Sequence, residues 1–314
     1  MKNLLYSIAI IAASLFTSCS GNEMIMDDDY VAAPTSGQYN SLAEFHKKYE
    51  SKPITISFDE SVGATYTTAQ GTIISIPPNA FDHQDGSSVS GTVQIEFKDI
   101  YTKSEMVLSD KSTMLAGGQP LNSAGEFFIR PTQNNVALKI NDSASISITL
   151  PAPNGVDTAM TTFTGTDSSG IFGFNYDASA YQLFYTASSY IFTIFDLSVP
   201  YDSGTWSNCD NPNPFGIDPQ TNLTLHCNTD NIEQAEMYLV FTNQTTGIHV
   251  YGLTDFQYPF APLGYDCTIV VLALKDGDIY SAFIPITITT NLSMNFEVAK
   301  TTDQQFKDAL DALN

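Results

Sequence analysis

From Ile54 onward, apolar and polar residues alternate with a period of two. Ile54–Phe58, Thr72–Ile76, Val93–Phe97, Val136–Ile140 and Ile146–Leu150 each send every second side chain to one face. Turn clusters such as Asp82-His83-Gln84-Asp85-Gly86 and Gly117-Gly118-Gln119-Pro120 separate them. Short alternating runs bounded by turn residues predict an antiparallel sandwich. Pro151-Ala152-Pro153-Asn154-Gly155 breaks the alternation and is read as a domain boundary. A second series follows at Tyr190–Leu197, Thr221–Cys227, Met237–Thr242, His249–Leu253, Thr268–Leu274, Tyr280–Thr289 and Met294–Val298. It suffices for a second sandwich. The stretch Ser198–Gln220, rich in Asn, Asp, Pro and Gly, reads as a long polar loop of the kind that often carries function.

Helical spacing occurs twice. Ser41-Leu42-Ala43-Glu44 fits a capping box, and Leu42, Phe45 and Tyr49 fall on one face behind it. Thr302-Asp303-Gln304-Gln305 repeats that signature before Phe306, Ala309, Leu310 and Leu313. The expected fold is all-β: two antiparallel, Ig-like β-sandwich domains over 39–152 and 153–314, with a short N-terminal and a short C-terminal helix.

The N-terminus has another pattern. Met1-Lys2-Asn3 precedes an apolar run from Leu4 to Phe16. As a helix that run reaches roughly 20 Å, short of the ~30 Å bilayer core, so 1–18 reads as a signal peptide. It ends in Leu15-Phe16-Thr17-Ser18-Cys19, which resembles the lipobox of bacterial lipoproteins. That resemblance implies a diacylated Cys19 as the mature first residue and, with Ser20 next to it, the outer membrane. Acyl chains contribute ~0.8 kcal/mol per buried CH2, so two or three anchor without a transmembrane helix. Residues 19–38, with Asp27-Asp28-Asp29 and Ala32-Ala33-Pro34, read as a flexible acidic tether. An acidic tether behind a lipidated Cys resembles the surface-export signals of Bacteroidetes lipoproteins.

Charge narrows the partners. Lys and Arg number 12 against 34 Asp and Glu, a net charge of -22, and a surface this negative repels phosphate backbones. Nucleic acid is therefore excluded as a partner. Hydrophobic residues at 43% are enough for real cores.

The run Gly71-Thr72-Ile73-Ile74-Ser75-Ile76-Pro77-Pro78-Asn79-Ala80-Phe81 leads into Asp85-Gly86 and Gly91-Thr92-Val93. Then come Ile100-Tyr101-Thr102-Lys103-Ser104-Glu105-Met106 and Leu121-Asn122-Ser123-Ala124-Gly125-Glu126-Phe127. Together with Trp206-Ser207-Asn208-Cys209-Asp210 and Lys275–Ala282, these resemble a family of Bacteroidetes outer-membrane lipoproteins with tandem β-sandwich domains. The opening strand and its Ile-Pro turn are also similar to the sandwich domain of netrin receptors, tight-junction scaffolds and ankyrins. The resemblance is one of strand-and-turn grammar and implies fold and compartment, not chemistry.

Catalytic signatures are missing. No two of His46, His83, His226 and His249 stand at a metal-ligand spacing, and no nucleophile elbow, P-loop or dinucleotide fingerprint occurs. Asp- and Asn-rich turns suit calcium best, with Asp82, Asp85, Asp210 and Asp218 as the candidates; no other cofactor is implied. Tyr201, Trp206 and Asp210 are the binding-loop candidates. Ser143 and Thr158 lie in Asp-Ser/Thr-Ala triplets similar to the Bacteroidetes O-glycosylation sequon. An exported chain meets an oxidising compartment, so one disulfide at most is expected among Cys209, Cys227 and Cys267, with three pairings open.

The expected function is non-enzymatic: a lipid-anchored, surface-exposed protein of the outer membrane that binds another protein or a glycan. This reading expects polar residues spread thinly over loops, with no convergent pocket. One alternative is a fimbrillin-like pilus subunit, matured by cleavage at Lys47, Lys48 or Lys52 because Pro131 blocks Arg130. The other is a glycoside hydrolase working through two carboxylates.

Overall fold

The computed structural model describes residues 37–168, 171–177, 179–197, 204–216 and 218–314. Cys19, Tyr201, the signal peptide and nearly all of the tether lie outside the described residues. Strands hold 52% of the residues and helices 9%, which makes the fold all-β.

The first half runs α1 (Leu42–Tyr49), β1 (Ile54–Asp59), β2 (Ala64–Thr67), β3 (Ile73–Ile76), β4 (Thr92–Ile100), α2 (Lys103–Leu108), β5 (Asn122–Gln133), β6 (Ile146–Pro151), β7 (Thr161–Ser168), β8 (Ile171–Tyr176), β9 (Tyr181–Tyr185), β10 (Ser189–Ile194) and β11 (Thr205–Asn211). One sheet has the order β1-β4-β5-β11-β7-β8 and faces another of order β9-β10-β6-β3-β2. The alternation read from the sequence supplies their core. Val93, Ile95, Phe97, Phe127 and Ile129 from one sheet meet Ile74, Ile148, Phe192 and Ile194 from the other.

The second half runs β12 (Gln220–Cys227), β13 (Gln234–Phe241), β14 (Gly247–Tyr251), β15 (Asp255–Pro262), β16 (Asp266–Lys275), β17 (Asp278–Thr287), β18 (Leu292–Phe296) and α3 (Asp303–Asp311). A three-stranded sheet β15-β12-β18 packs on a larger one in which β14, β13, β16 and β17 follow in order. The β12–β18 pair is parallel, the one departure from antiparallel pairing among the named strands. The larger sheet is buried on both faces. Its inner face (Met237, Leu239, Ile269, Val271) meets the small sheet, and its outer face (Tyr238, Val240, Val270, Leu272) is covered by the helices. That explains the unbroken apolar run Ile269–Leu274, where alternation lapses because neither face sees water.

The boundary expected at 153 is not where the sheets divide. Strand β6, before that point, pairs with β10 after it, and β5 pairs with β11. Pro151–Gly155 is a turn at the rim of one sandwich, and the first core extends to Cys209. Nor does the chain before 153 stay on one side. The α1 helix docks on the second half's large sheet, Phe45 against Phe306 at 5.6 Å, and Leu42 N–H donates to Gln234 Oε1. The segment 103–121 crosses as well: Lys103 Nζ donates to Phe241 O at 3.0 Å, and Thr113 N–H to Gly247 O. Residues Pro34–Asn314 accordingly form one compact unit.

The α2 helix is an element the alternation did not announce. Thr102 and Glu105 close a full capping box around its first turn, Glu105 Oε2 accepting from Thr102 N–H. Just past its C-terminal end, Asp110 reaches His249 on β14 of the large second sheet.

Candidate functional site

Four elements bring ionisable side chains to one point on the outer face of the large second sheet. Glu236 and Tyr238 are two apart on β13 and so share a face. The register sets Tyr238 opposite His249 and Glu236 opposite Tyr251, so β14 adds its pair to the same face. His46 comes from the buried stripe of α1 with Leu42 and Phe45. Asp110 follows the C-cap of α2 at φ 49, a left-handed position that Gly usually takes.

The contacts are short. His46 Nδ1 lies 3.1 Å from Leu108 O and Nε2 lies 2.6 Å from Glu236 Oε2. A carbonyl only accepts, so Nδ1 carries a proton, and the contact with the Glu236 carboxylate places the second one on Nε2. Burial pulls the His46 pKa down, but the bond to Glu236 and the charges of Glu236 and Asp110 outweigh it, and the net shift is upward. Tyr238 Oη has one proton and two takers, Asp110 Oδ1 at 3.0 Å and Glu236 Oε2 at 3.1 Å. Burial first, then these two carboxylates, push its ionisation far up. His249 Nδ1 is 2.9 Å from Asp110 Oδ1 but off the line that a hydrogen bond needs. Burial would raise Asp110, yet the imidazole of His249 beside it and that of His46 hold it down at about 2. The ring of His249 is stacked on Tyr251 at 4.0 Å.

One donor atom each from Asp110, Glu236 and His249 lies within 4.8 Å of the other two. The group lines a cleft of about 320 Å³ whose rim includes the exposed Tyr251 and Leu253. This corrects the expectation of thinly spread polar groups with no convergent pocket. The residues come from separate elements, His46 and Glu236 being 190 positions apart, so no local spacing could reveal them. The usable signal was Glu-x-Tyr and His-x-Tyr on neighbouring strands, which needs the pairing register to be read.

The residues singled out from sequence do not gather. Trp206 and Asp210 are on β11, inside a sheet rather than in a loop. Trp206 packs against Phe128 and Phe172, with Lys98 Nζ 5.3 Å from its ring, so it is not a free stacking platform. Asp210 is fully buried. The calcium candidates are spoken for singly. Asp82 accepts from Asn141 Nδ2, Asp85 closes a turn onto Ser87, and Asp218 accepts from the Tyr265 hydroxyl. Ser143 and Thr158 are both exposed in turns. Cys209, Cys227 and Cys267 are buried free thiols, so none of the three open pairings forms. Burial raises the Cys209 thiol and pushes that of Cys267 up to about 12, which keeps them protonated.

The chain matches no family model and no curated relative. Among solved structures, the major pilin subunit of Bacillus cereus aligns over 80% of this chain and 95% of its own, at 10% identity and a TM-score of 0.19. A multi-domain stretch of titin aligns over 76% and 99%, at 11% identity and a TM-score of 0.16. Likenesses this slight leave the fold resting on its own strand pairing.

Proposed function

We propose that the protein is lipid-anchored through Cys19, displayed at the outer surface of the outer membrane, and acts by binding rather than by turnover. The observation that carries the binding reading is where the apolar surface stands. Tyr176 (64% exposed) is on β8, and Phe184 (49%) and Tyr185 (55%) are on β9, each an edge strand of its sheet. Bare aromatic side chains on sheet edges invite association, and a fold with no partner has reason to avoid them. The lipobox-like Leu15–Cys19 and the acidic tether support the anchor.

The carboxylates argue against a glycosidase. Such an enzyme needs one carboxyl that keeps its proton in reach of substrate. Asp110 is held ionised, and Glu60, Glu126 and Asp210, whose burial raises them toward the protonated form, are sealed from solvent.

The test has two arms on the same cells. Metabolic labelling with a clickable palmitate should mark the wild-type chain and not Cys19→Ala, and external protease should digest the wild-type chain on intact cells. A photo-cross-linking residue at position 184 should yield a discrete adduct that the same residue at position 87, in an exposed turn, does not. Label retained by Cys19→Ala refutes the anchor, protection from protease refutes surface display, and equal cross-linking at both positions refutes the contact surface.

A further inference from the structure

The cleft over Asp110, Glu236 and His249 holds a donor set that the fold does not use up. His249 is 5% exposed, and neither ring nitrogen has a hydrogen-bond partner. Nδ1 stands 2.9 Å from Asp110 Oδ1 without hydrogen-bond geometry and Nε2 has no polar partner, and a buried nitrogen left so costs about 1–3 kcal/mol, which a ligand taking its lone pair would offset. Two carboxylates converge on the same point, all three donors within 4.8 Å of one another.

We infer that Asp110, Glu236 and His249 bind a divalent transition-metal ion of the zinc class. An imidazole with two carboxylates is a donor set for such ions, whereas calcium and magnesium take oxygen ligands. Ligands on one ion at ~2.1 Å stand at most ~4.2 Å apart, so the three groups draw inward on binding. The Asp110 side chain, 38% exposed, has room to move. Three protein ligands leave a position open toward the cleft. His46 and Tyr238 are positioning residues. His46, anchored on Leu108 O, fixes Glu236, and Tyr238 bridges the two carboxylates. A strained Asp at φ 49, where Gly is cheaper, fits a position kept for its side chain.

The test is calorimetric titration of the folded full chain, carrying Cys19→Ala so that the anchor plays no part, with zinc chloride alone. Millimolar calcium is present throughout to occupy the acidic surface. One ion per chain should bind, and Asp110→Asn and His249→Ala should each weaken it at least tenfold. Asp110→Asn is the control for folding, being nearly isosteric and at the surface. Cobalt in place of zinc should give the visible bands of a low-coordinate nitrogen and oxygen site, lost in Asp110→Asn. The inference fails if calcium abolishes binding, if no ion binds, or if a correctly folded Asp110→Asn binds as the parent does. None of these outcomes bears on the anchor or the edge-strand contact.

Discussion

Two groups of carboxylates in this molecule, one on paired strands and one where a helix end meets a strand, have opposite fates. In the first sandwich, Glu126 on β5 stands opposite Asn208 on β11, and Ser123 stands opposite Asp210. Glu126 and Asp210 are fully buried, and both Glu126 oxygens and Asp210 Oδ1 lack a partner. Burial, and for Glu126 the neighbouring Asp210, raises both pKa values well above the usual carboxylate value and so favours the neutral acid at each. On the outer face of the second half, Asp110 and Glu236 have two imidazoles beside them and a solvent-open cleft. Asp110 stays ionised down to about pH 2. Counter-charge and access to water, not residue type, decide which pair is a sealed structural element and which can meet a cation.

The largest expected effect breaks the sealed pair. Asn208 Nδ2 donates to Asp210 Oδ2 at 2.6 Å and its Oδ1 accepts from Ser123 Oγ at 2.8 Å. Asn208→Ala removes both bonds and strands an already half-satisfied acid. The expected loss is about 3–4 kcal/mol in urea unfolding, two buried bonds with the desolvation they no longer offset. A loss under ~1 kcal/mol would mean that the site admits water and is not sealed.

A smaller change sharpens the contrast through pH. A carboxyl whose folded pKa lies above its unfolded value binds more protons when folded. Its contribution is complete below the unfolded pKa near 4.5 and is lost as pH rises toward the folded value. Glu126→Gln does not titrate. The variant should therefore gain on the parent as pH climbs from 5 to 7, by up to about 1.4 kcal/mol per pH unit. Parallel stability profiles from denaturant melts across that range would show that Glu126 ionises freely in the fold.

Much of this architecture was legible because burial writes itself into alternation. Strand β12 runs strictly exposed–buried from Gln220 to Cys227, and α1 and α3 both start at the Ser41 and Thr302 caps read from sequence. Strand β11 was not legible. Thr205–Asn211 is polar in composition, yet it is central in its sheet, and its Ser207, Asn208 and Asp210 are buried by hydrogen-bonding to each other and to neighbours. Composition signals a loop only when polar groups face water, and here they do not. The Thr102–Glu105 capping box of α2 is present in the sequence, but the helix it starts has only 6 residues, too few to show a repeating apolar face. The second carboxylate group was out of reach for another reason: its members meet only after α1, α2 and two strands are in place.

The smallest expected effect tests whether Asp110 is kept for stability at all. At φ 49 an L-residue is strained by up to ~1–2 kcal/mol, less for Asp, whose short polar side chain suits this region, and Gly in its place relieves that strain. The substitution also removes the charge 2.9 Å from His249 and one of the two acceptors of Tyr238, whose hydroxyl keeps Glu236 at 3.1 Å. Asp110 is 38% exposed and His249 only 3%; with the open side screened by water the pair contributes up to ~1 kcal/mol, so Asp110→Gly should change the unfolding free energy by no more than ~1 kcal/mol in either direction. Zinc should raise the parent's midpoint and leave that of Asp110→Gly where it was. If the variant instead loses about 2 kcal/mol or more, the Asp110 group is a structural element like Glu126 and Asp210, and the distinction between the two clusters collapses.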